Sequence, residues 1–222
     1  MTPTWMPHGT VYGSLLNFQR ETALWAERMA QPPYKAPPQA PVLYIKTANT
    51  FTPSGARIAM PAGTTALAVG ATVGLVMGAV RDGCARPDLA SVAGAVLLND
   101  WCVPHDSYFR PAVKTRCGDG LLGVGGSCVP LAQLPPLASW QLEVRINGVL
   151  RQTVRLADLV RPAAQLLADV GTCMTLRPGD VLMLGTDCLD DGSRPLAQAG
   201  DTVEVSAPGL QPVVNSLVGA SA

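Results

Sequence analysis

Asp100, Lys114 and the pair Gly185-Thr186 are the residues whose types and settings best suit chemistry. Asp100 follows the apolar run Gly94–Leu98 in Asn99-Asp100-Trp101. A carboxylate there can ligate a hard divalent cation such as Mg²⁺ or Mn²⁺, or cap the turn after a strand. Lys114 lies in a polar, Gly-rich stretch from Cys102 to Ser127. Long irregular segments inside compact domains tend to carry function, and an ammonium there can hold a substrate carboxylate or stand in solvent. Gly185-Thr186 can contact an anion or merely end a strand. Tyr108 and Arg110 offer donors to a substrate or contacts to a second chain. His105-Asp106 has the composition of a general-base pair, but adjacent side chains rarely converge, so no dyad is expected.

Other chemistries fit poorly. The six cysteines, at 84, 102, 117, 128, 173 and 188, form no Cys-x-x-Cys pair, and His8 and His105 are far apart. A zinc site is therefore not indicated. Gly123-Val124-Gly125-Gly126 is too loose for a dinucleotide loop. Lys plus Arg equals Asp plus Glu at 16 each, so no general field draws the chain to nucleic acid. Met1–Thr10 has no basic residue before an apolar run, so a cytoplasmic protein with reduced thiols is expected. Ile58–Val80 is uncharged, with Gly70, Gly74 and Gly78 spaced as in membrane helices. Pro61, Gly63, Thr64 and Thr65 break that run, and strands at Thr65–Val69 and Ala71–Met77 of a buried sheet explain it better than a membrane span.

The elements that must hold these residues are mostly strands. The pattern predicts strands at Thr10–Phe18, Pro41–Lys46, Gly94–Leu98, Ser139–Ile146, Val149–Val154 and Val181–Leu184, with a last strand at Thr202–Ser206. Helices are expected at Arg20–Met29, with Ala23, Leu24 and Trp25 inward, at Pro87–Ala93, and at Pro162–Val170, which Gly171 closes. Asn147-Gly148 between two alternating runs predicts a type I′ hairpin. Five prolines in Gln31–Pro41 make an ordered arm. At 222 residues, the chain reads as one mostly β domain with a few helices, whose stretch 10–41 is a strand, helix and Pro-rich arm.

Asn99-Asp100-Trp101, the loop reaching Lys114, and Pro178-Gly179-Asp180 followed by Gly185-Thr186 together resemble the fumarylacetoacetate hydrolase family. Pro33-Tyr34-Lys35-Ala36-Pro37-Pro38, Tyr44-Ile45-Lys46 with Asn49-Thr50, and Ser107-Tyr108-Phe109-Arg110-Pro111 resemble its bifunctional isomerase/decarboxylase branch of 4-hydroxyphenylacetate (homoprotocatechuate) breakdown, in the form of the N-terminal half. The resemblance implies a mixed β-roll and Mg²⁺ or Mn²⁺ as cofactor. The implied substrates are the oxo-diacids 5-oxopent-3-ene-1,2,5-tricarboxylate, which is decarboxylated, and 2-hydroxyhepta-2,4-diene-1,7-dioate, which is isomerised. It implies catalytic roles for Lys114 and Asp100, substrate contacts from Tyr108, Arg110, Gly185 and Thr186, and Asp100 as metal ligand.

The resemblance departs at its centre. Two metal-binding glutamates of the family fall on Gly70 and Thr72, and its catalytic histidine falls near Glu21. The Arg and Gln that follow its Asn-Asp motif fall on Pro104 and Ser107. Two functions follow as expectations: a lyase/isomerase subunit, or a non-catalytic structural homologue that assembles with a metal-bearing homologous subunit.

Overall fold

The computed structural model describes residues 4–79, 87–109 and 112–220. Along the chain come β1 (Val11–Leu15), α1 (Gln19–Met29), β2 (Val42–Lys46), β3 (Phe51–Pro53), β4 (Arg57–Ala59), β5 (Leu67–Ala68), β6 (Ala71–Met77) and β7 (Val92–Asp100). They are followed by α2 (Val113–Arg116), β8 (Leu122–Val124), β9 (Gln141–Ile146), β10 (Val149–Arg155), α3 (Ala163–Val170), β11 (Val181–Met183), β12 (Leu196–Ala197), β13 (Thr202–Ser206) and β14 (Val213–Val218). A mixed seven-stranded sheet runs β2-β1-β11-β6-β7-β8-β3, and a five-stranded sheet runs β10-β9-β13-β14-β4. The architecture is mostly β, with a curled half-barrel sheet.

The two sheets enclose the main core. Val73, Leu75 and Leu97 from the larger sheet meet Leu142, Val144, Val203, Val205 and Val213 from the smaller. Alternation sends Val76, Val96 and Leu98 to the opposite face of the larger sheet, where Val11, Leu122 and Val181 join them. Every residue of β6 is therefore buried. Burial on both faces accounts for the uncharged run that resembled a membrane span. Among the described residues, no helix is long and apolar enough to cross a membrane.

Several expectations hold closely. Trp140, Leu142, Val144 and Ile146 are all buried. Asn147 and Gly148 take φ of 52° and 79°, as a type I′ turn requires. Ala163, Leu166, Leu167 and Val170 form the buried face of α3, with Gly171 as its C-cap.

Others need correction. Pro87–Ala93 is not a helix: Asp88 caps a single 3₁₀ turn, Leu89–Ser91, and β7 begins at Val92. The extended pairing of Val92 with Met77 wins over the helix-opening proline. Thr202–Ser206 is not the last strand, because β14 pairs with it antiparallel. The first strand stops at Leu15, and Leu16 turns the chain with φ of 56°. The stretch 102–127 contains α2 and β8. On α1 the inward face is Glu21, Trp25 and Met29, spaced i, i+4 and i+8, while Leu24 is half exposed. That correction matters most, because it turns an acid into the domain.

Candidate functional site

Strand parity builds the first cluster. On β6, Thr72, Gly74 and Val76 share one side with Gly70 just before the strand, and β7 presents Val96, Leu98 and Asp100 to the same side. Tyr44 and Lys46 alternate on β2 and join them across β1. Asp100 is fully buried and meets two cations. Lys46 Nζ stands 3.0 Å from Oδ1, and Arg116 Nη1 stands 2.5 Å from Oδ2. The Tyr44 hydroxyl also donates to Oδ2. Lys46 donates to the carbonyls of Trp101 (3.3 Å), Leu121 (2.7 Å) and Arg116. Arg116 comes from α2 and stacks its guanidinium 4.7 Å from the Tyr44 ring centre.

The electrostatics follow from that packing. Burial alone would raise the Asp100 carboxyl, but the charges of Lys46 and Arg116 outweigh it and hold it below the usual carboxylate range. Burial and the Asp100 charge push the Tyr44 phenol well above its ordinary value. Asp100 is thus an ionised carboxylate whose Oδ2 is hydrogen-bonded by Arg116 and Tyr44 and whose Oδ1 has the Lys46 ammonium beside it but no hydrogen-bond partner among the described residues.

A second cluster lines a cleft of about 480 Å³ bordered by Trp25, Cys102, His105, Asp106, Tyr108 and Arg194. Glu21, almost wholly buried, accepts from Arg194 Nη2 at 2.8 Å and from the Tyr108 hydroxyl at 2.7 Å, both on Oε1. Its Oε2 has no partner among the described residues. The Pro-rich arm positions Tyr108: the Tyr34 hydroxyl accepts from Tyr108 N at 2.7 Å, and Trp25 packs 4.6 Å from the Tyr108 ring. Burial, then the nearby Arg194 and Glu21, leave the Tyr108 phenol raised to about 12. Burial and the Arg116 charge lower His105, which favours its neutral form. Its Nδ1 lies 3.0 Å from the Ser107 carbonyl, which can only accept. The proton therefore sits on Nδ1, and Nε2 carries a lone pair. Arg116 acts on His105 and Arg194 acts on Tyr44, so the clusters feel one another.

The sequence-derived residues divide between these clusters. Asp100 and Tyr108 lie in them. Thr186 is buried over Gly70, and Gly185 sits against Ser14 and Asn17 in the turn after β11. Lys114 is exposed; Arg116, two residues on and about 200° round the helix, is the α2 cation that points inward. Arg110 lies outside the described residues. Lys46, Arg116, Arg194 and Glu21 were not singled out as site residues in the sequence. A readable signal existed for Lys46, because it shares strand parity with Tyr44 and a lysine on a buried face must find a partner. Arg194 meets Glu21 across 173 positions, which no local pattern encodes.

These residues do not fit a divalent cation. Asp100 already faces two fixed positive charges, and Gly70 and Thr72 offer no carboxylate beside it. A Cβ at Gly70 would stand 2.5 Å from the Asp100 carbonyl oxygen and 2.8 Å from Thr186 Cγ2, so the space for an acidic side chain is taken. Among the described residues, no three His, Cys, Asp or Glu side chains converge as metal ligands.

The family model for the fumarylacetoacetate (FAA) hydrolase C-terminal domain matches residues 10–218. The chain belongs to the fumarylacetoacetate hydrolase family. A 4-hydroxyphenylacetate degradation bifunctional isomerase/decarboxylase from Escherichia coli is 38% identical over 211 residues, covering 95% of this chain and 47% of that protein. A homoprotocatechuate catabolism bifunctional isomerase/decarboxylase from Escherichia coli is 37% identical over the same shares. The chain spans about half the length of these relatives. Among solved structures, a 5-carboxymethyl-2-hydroxymuconate delta-isomerase from Mycobacterium smegmatis superposes with a TM-score of 0.77 at 20% identity, covering 97% of this chain and 79% of that one. A fumarylpyruvate hydrolase from Pseudomonas aeruginosa, solved with Mn²⁺ and pyruvate, gives 0.76 at 18% identity, covering 98% and 97%. At these identities the superpositions establish the shared fold.

Proposed function

We propose that the chain is one domain of a bifunctional isomerase/decarboxylase of 4-hydroxyphenylacetate breakdown, and that a homologous companion subunit holds the divalent cation. The pathway reading draws on the relatives, which are similar over 95% of this chain and about twice as long. The division of labour rests on one observation: Asp100 is bound by Lys46 and Arg116. Decarboxylation of 5-oxopent-3-ene-1,2,5-tricarboxylate develops enolate charge, which a metal-bearing companion would stabilise. This chain would supply the scaffold and, through Arg194 at the cleft, a donor for a substrate carboxylate.

A second reading has its own support. The free Glu21 Oε2 and the neutral His105 adjoin Tyr108. Isomerisation of 2-hydroxyhepta-2,4-diene-1,7-dioate moves a proton from the 2-hydroxyl to C5, which acid/base groups can do without a metal. The discriminating experiment assays this chain, a homologous domain carrying both family glutamates, and their mixture, with Mg²⁺ present. Carbon dioxide release and loss of the conjugated diene are followed separately. The companion reading expects turnover in the mixture well above this chain's own rate. Isomerisation by this chain alone at the mixture's rate would replace it with the metal-free reading.

A further inference from the structure

β2 is an outer strand of the larger sheet and, among the described residues, pairs with β1 alone. The direction of its backbone groups follows from β1. Val181 N donates to Thr10 O, which turns the backbone of Thr10, Tyr12 and Ser14 toward β11. Val11, Gly13 and Leu15 therefore bond the facing Lys46, Tyr44 and Val42. Leu43 and Ile45, which alternate with these, aim their N–H and C=O groups out of the sheet. The Cys117 thiol agrees with that direction, donating to Ile45 O at 3.1 Å. The N–H and C=O of Leu43 and the N–H of Ile45 have no partner among the described residues. A cavity of about 550 Å³ runs along this edge. It touches Val42 and Tyr44, which face one side of the sheet, and Leu43 and Ile45, which face the other, so it lies across the open edge. Phe109, Ala112, Val113 and Cys117 line it from outside the sheet. Val113 and Phe109 are 64% and 54% exposed, the highest values among the large apolar side chains described.

A strand edge with free N–H and C=O groups is a template for one more strand. Two features fix the chemistry of the occupant. The free groups recur at every second residue, which is the repeat of an extended backbone. No charged side chain among the described residues lines the groove, so a neutral, apolar segment suits it and a dicarboxylate meets no cation there. We propose that the edge of β2 docks an extended, uncharged apolar segment of a partner protein, about four residues long at ~3.3 Å each, as one more strand of the larger sheet. Leu43 and Ile45 hold its backbone, and Phe109 and Val113 cover its side chains. The β2 strand of a second copy would bring its own Phe109 and Val113 against these, which a lone segment does not. The proposal goes beyond the catalytic readings and uses neither the Asp100 nor the Glu21 carboxylate.

The test is an NMR titration of the whole ¹⁵N-labelled chain with the blocked peptide acetyl-Thr-Val-Tyr-Val-Thr-amide. Two control peptides accompany it, one with its central amides N-methylated and one with both valines replaced by aspartate. The proposal expects the first peptide to shift the amide signals of Leu43 and Ile45 and to slow their hydrogen exchange, and both controls to bind far more weakly. Leu43→Pro removes an outward N–H while leaving the bonds of Val42 and Tyr44 to β1, and should weaken binding about three- to tenfold, the value of one backbone hydrogen bond. Val113→Asp places a charge on the groove at an exposed position, so it serves as the independent arm should Leu43→Pro fail to fold; it should also weaken binding. No binding of the first peptide, or equal binding of its N-methylated form, would overturn the proposal. A dimer in sedimentation that Leu43→Pro dissolves would assign the edge to a second copy and overturn it too. Shifts of Leu43 and Ile45 produced by muconate, a plain dicarboxylate, would make the groove a small-molecule site and overturn it as well.

Discussion

Replacing Lys46 by Met probes the centre of the domain. The substitution keeps most of the side-chain volume and removes the ammonium, so the cost is electrostatic. Removing one member of a buried pair typically costs about 3–5 kcal/mol. Here Arg116 stays on Asp100, which reduces the loss, but the carbonyls of Trp101, Leu121 and Arg116 lose their shared donor. Each buried acceptor left unpaired costs about 1–3 kcal/mol, so a total of about 3–5 kcal/mol stands. For a domain of this size that is a fall in Tm of roughly 6–20 °C. Urea unfolding of the parent, Lys46→Met, Asp100→Asn and the double variant measures it, and the cycle should show a coupling of about 1–3 kcal/mol. The pH dependence has a definite sign. Because the Asp100 carboxyl is held low, its contribution is complete above the unfolded value near ~3.9 and is lost as pH falls through the lower folded value. Lys46→Met should move that loss to higher pH. A loss under about 1 kcal/mol, or strict additivity in the cycle, would refute the reasoning.

Two further outcomes follow from the same geometry. Gly148→Val should lower stability by about 1–2 kcal/mol, since φ is +79° with open space around it, and should leave ligand affinity unchanged in the folded fraction; chemical denaturation followed by ligand titration checks both. Gly70→Glu should destabilise by at least about 1–3 kcal/mol and gain no Mn²⁺ binding, because its Cβ meets the Asp100 carbonyl; a thermal melt with and without Mn²⁺ reads this.

What was legible in the sequence was what local chemistry determines. Asn147-Gly148 demands its turn, Pro162 and Gly171 bracket their helix, and the alternation from Trp140 to Ile146 marks a half-buried strand. The two- and three-residue strands β3, β4 and β12 carry too little pattern to show. Within the site, the family motif pointed to Asp100, and Gly70 and Thr72 share its side of the sheet. It did not reveal what Asp100 binds. Lys46 and Arg116 reach it from 54 and 16 positions away, and only the sheet order β2-β1-β11-β6-β7 brings them together. Glu21 was not picked out, for a different reason. Reading Ala23 and Leu24 as the inner face of α1 followed side-chain apolarity, whereas Arg194 and Tyr108 stabilise a carboxylate on that face.

The central claim is that two fixed cations of the chain itself hold Asp100, the carboxylate that the family resemblance proposes as a metal ligand. Calorimetric titration of the purified, chelator-treated chain with Mn²⁺, and then Mg²⁺, tests it most directly. The account predicts no stoichiometric site of micromolar affinity for either ion. A one-to-one site of that affinity, abolished by Asp100→Asn in a protein that stays folded, would contradict it.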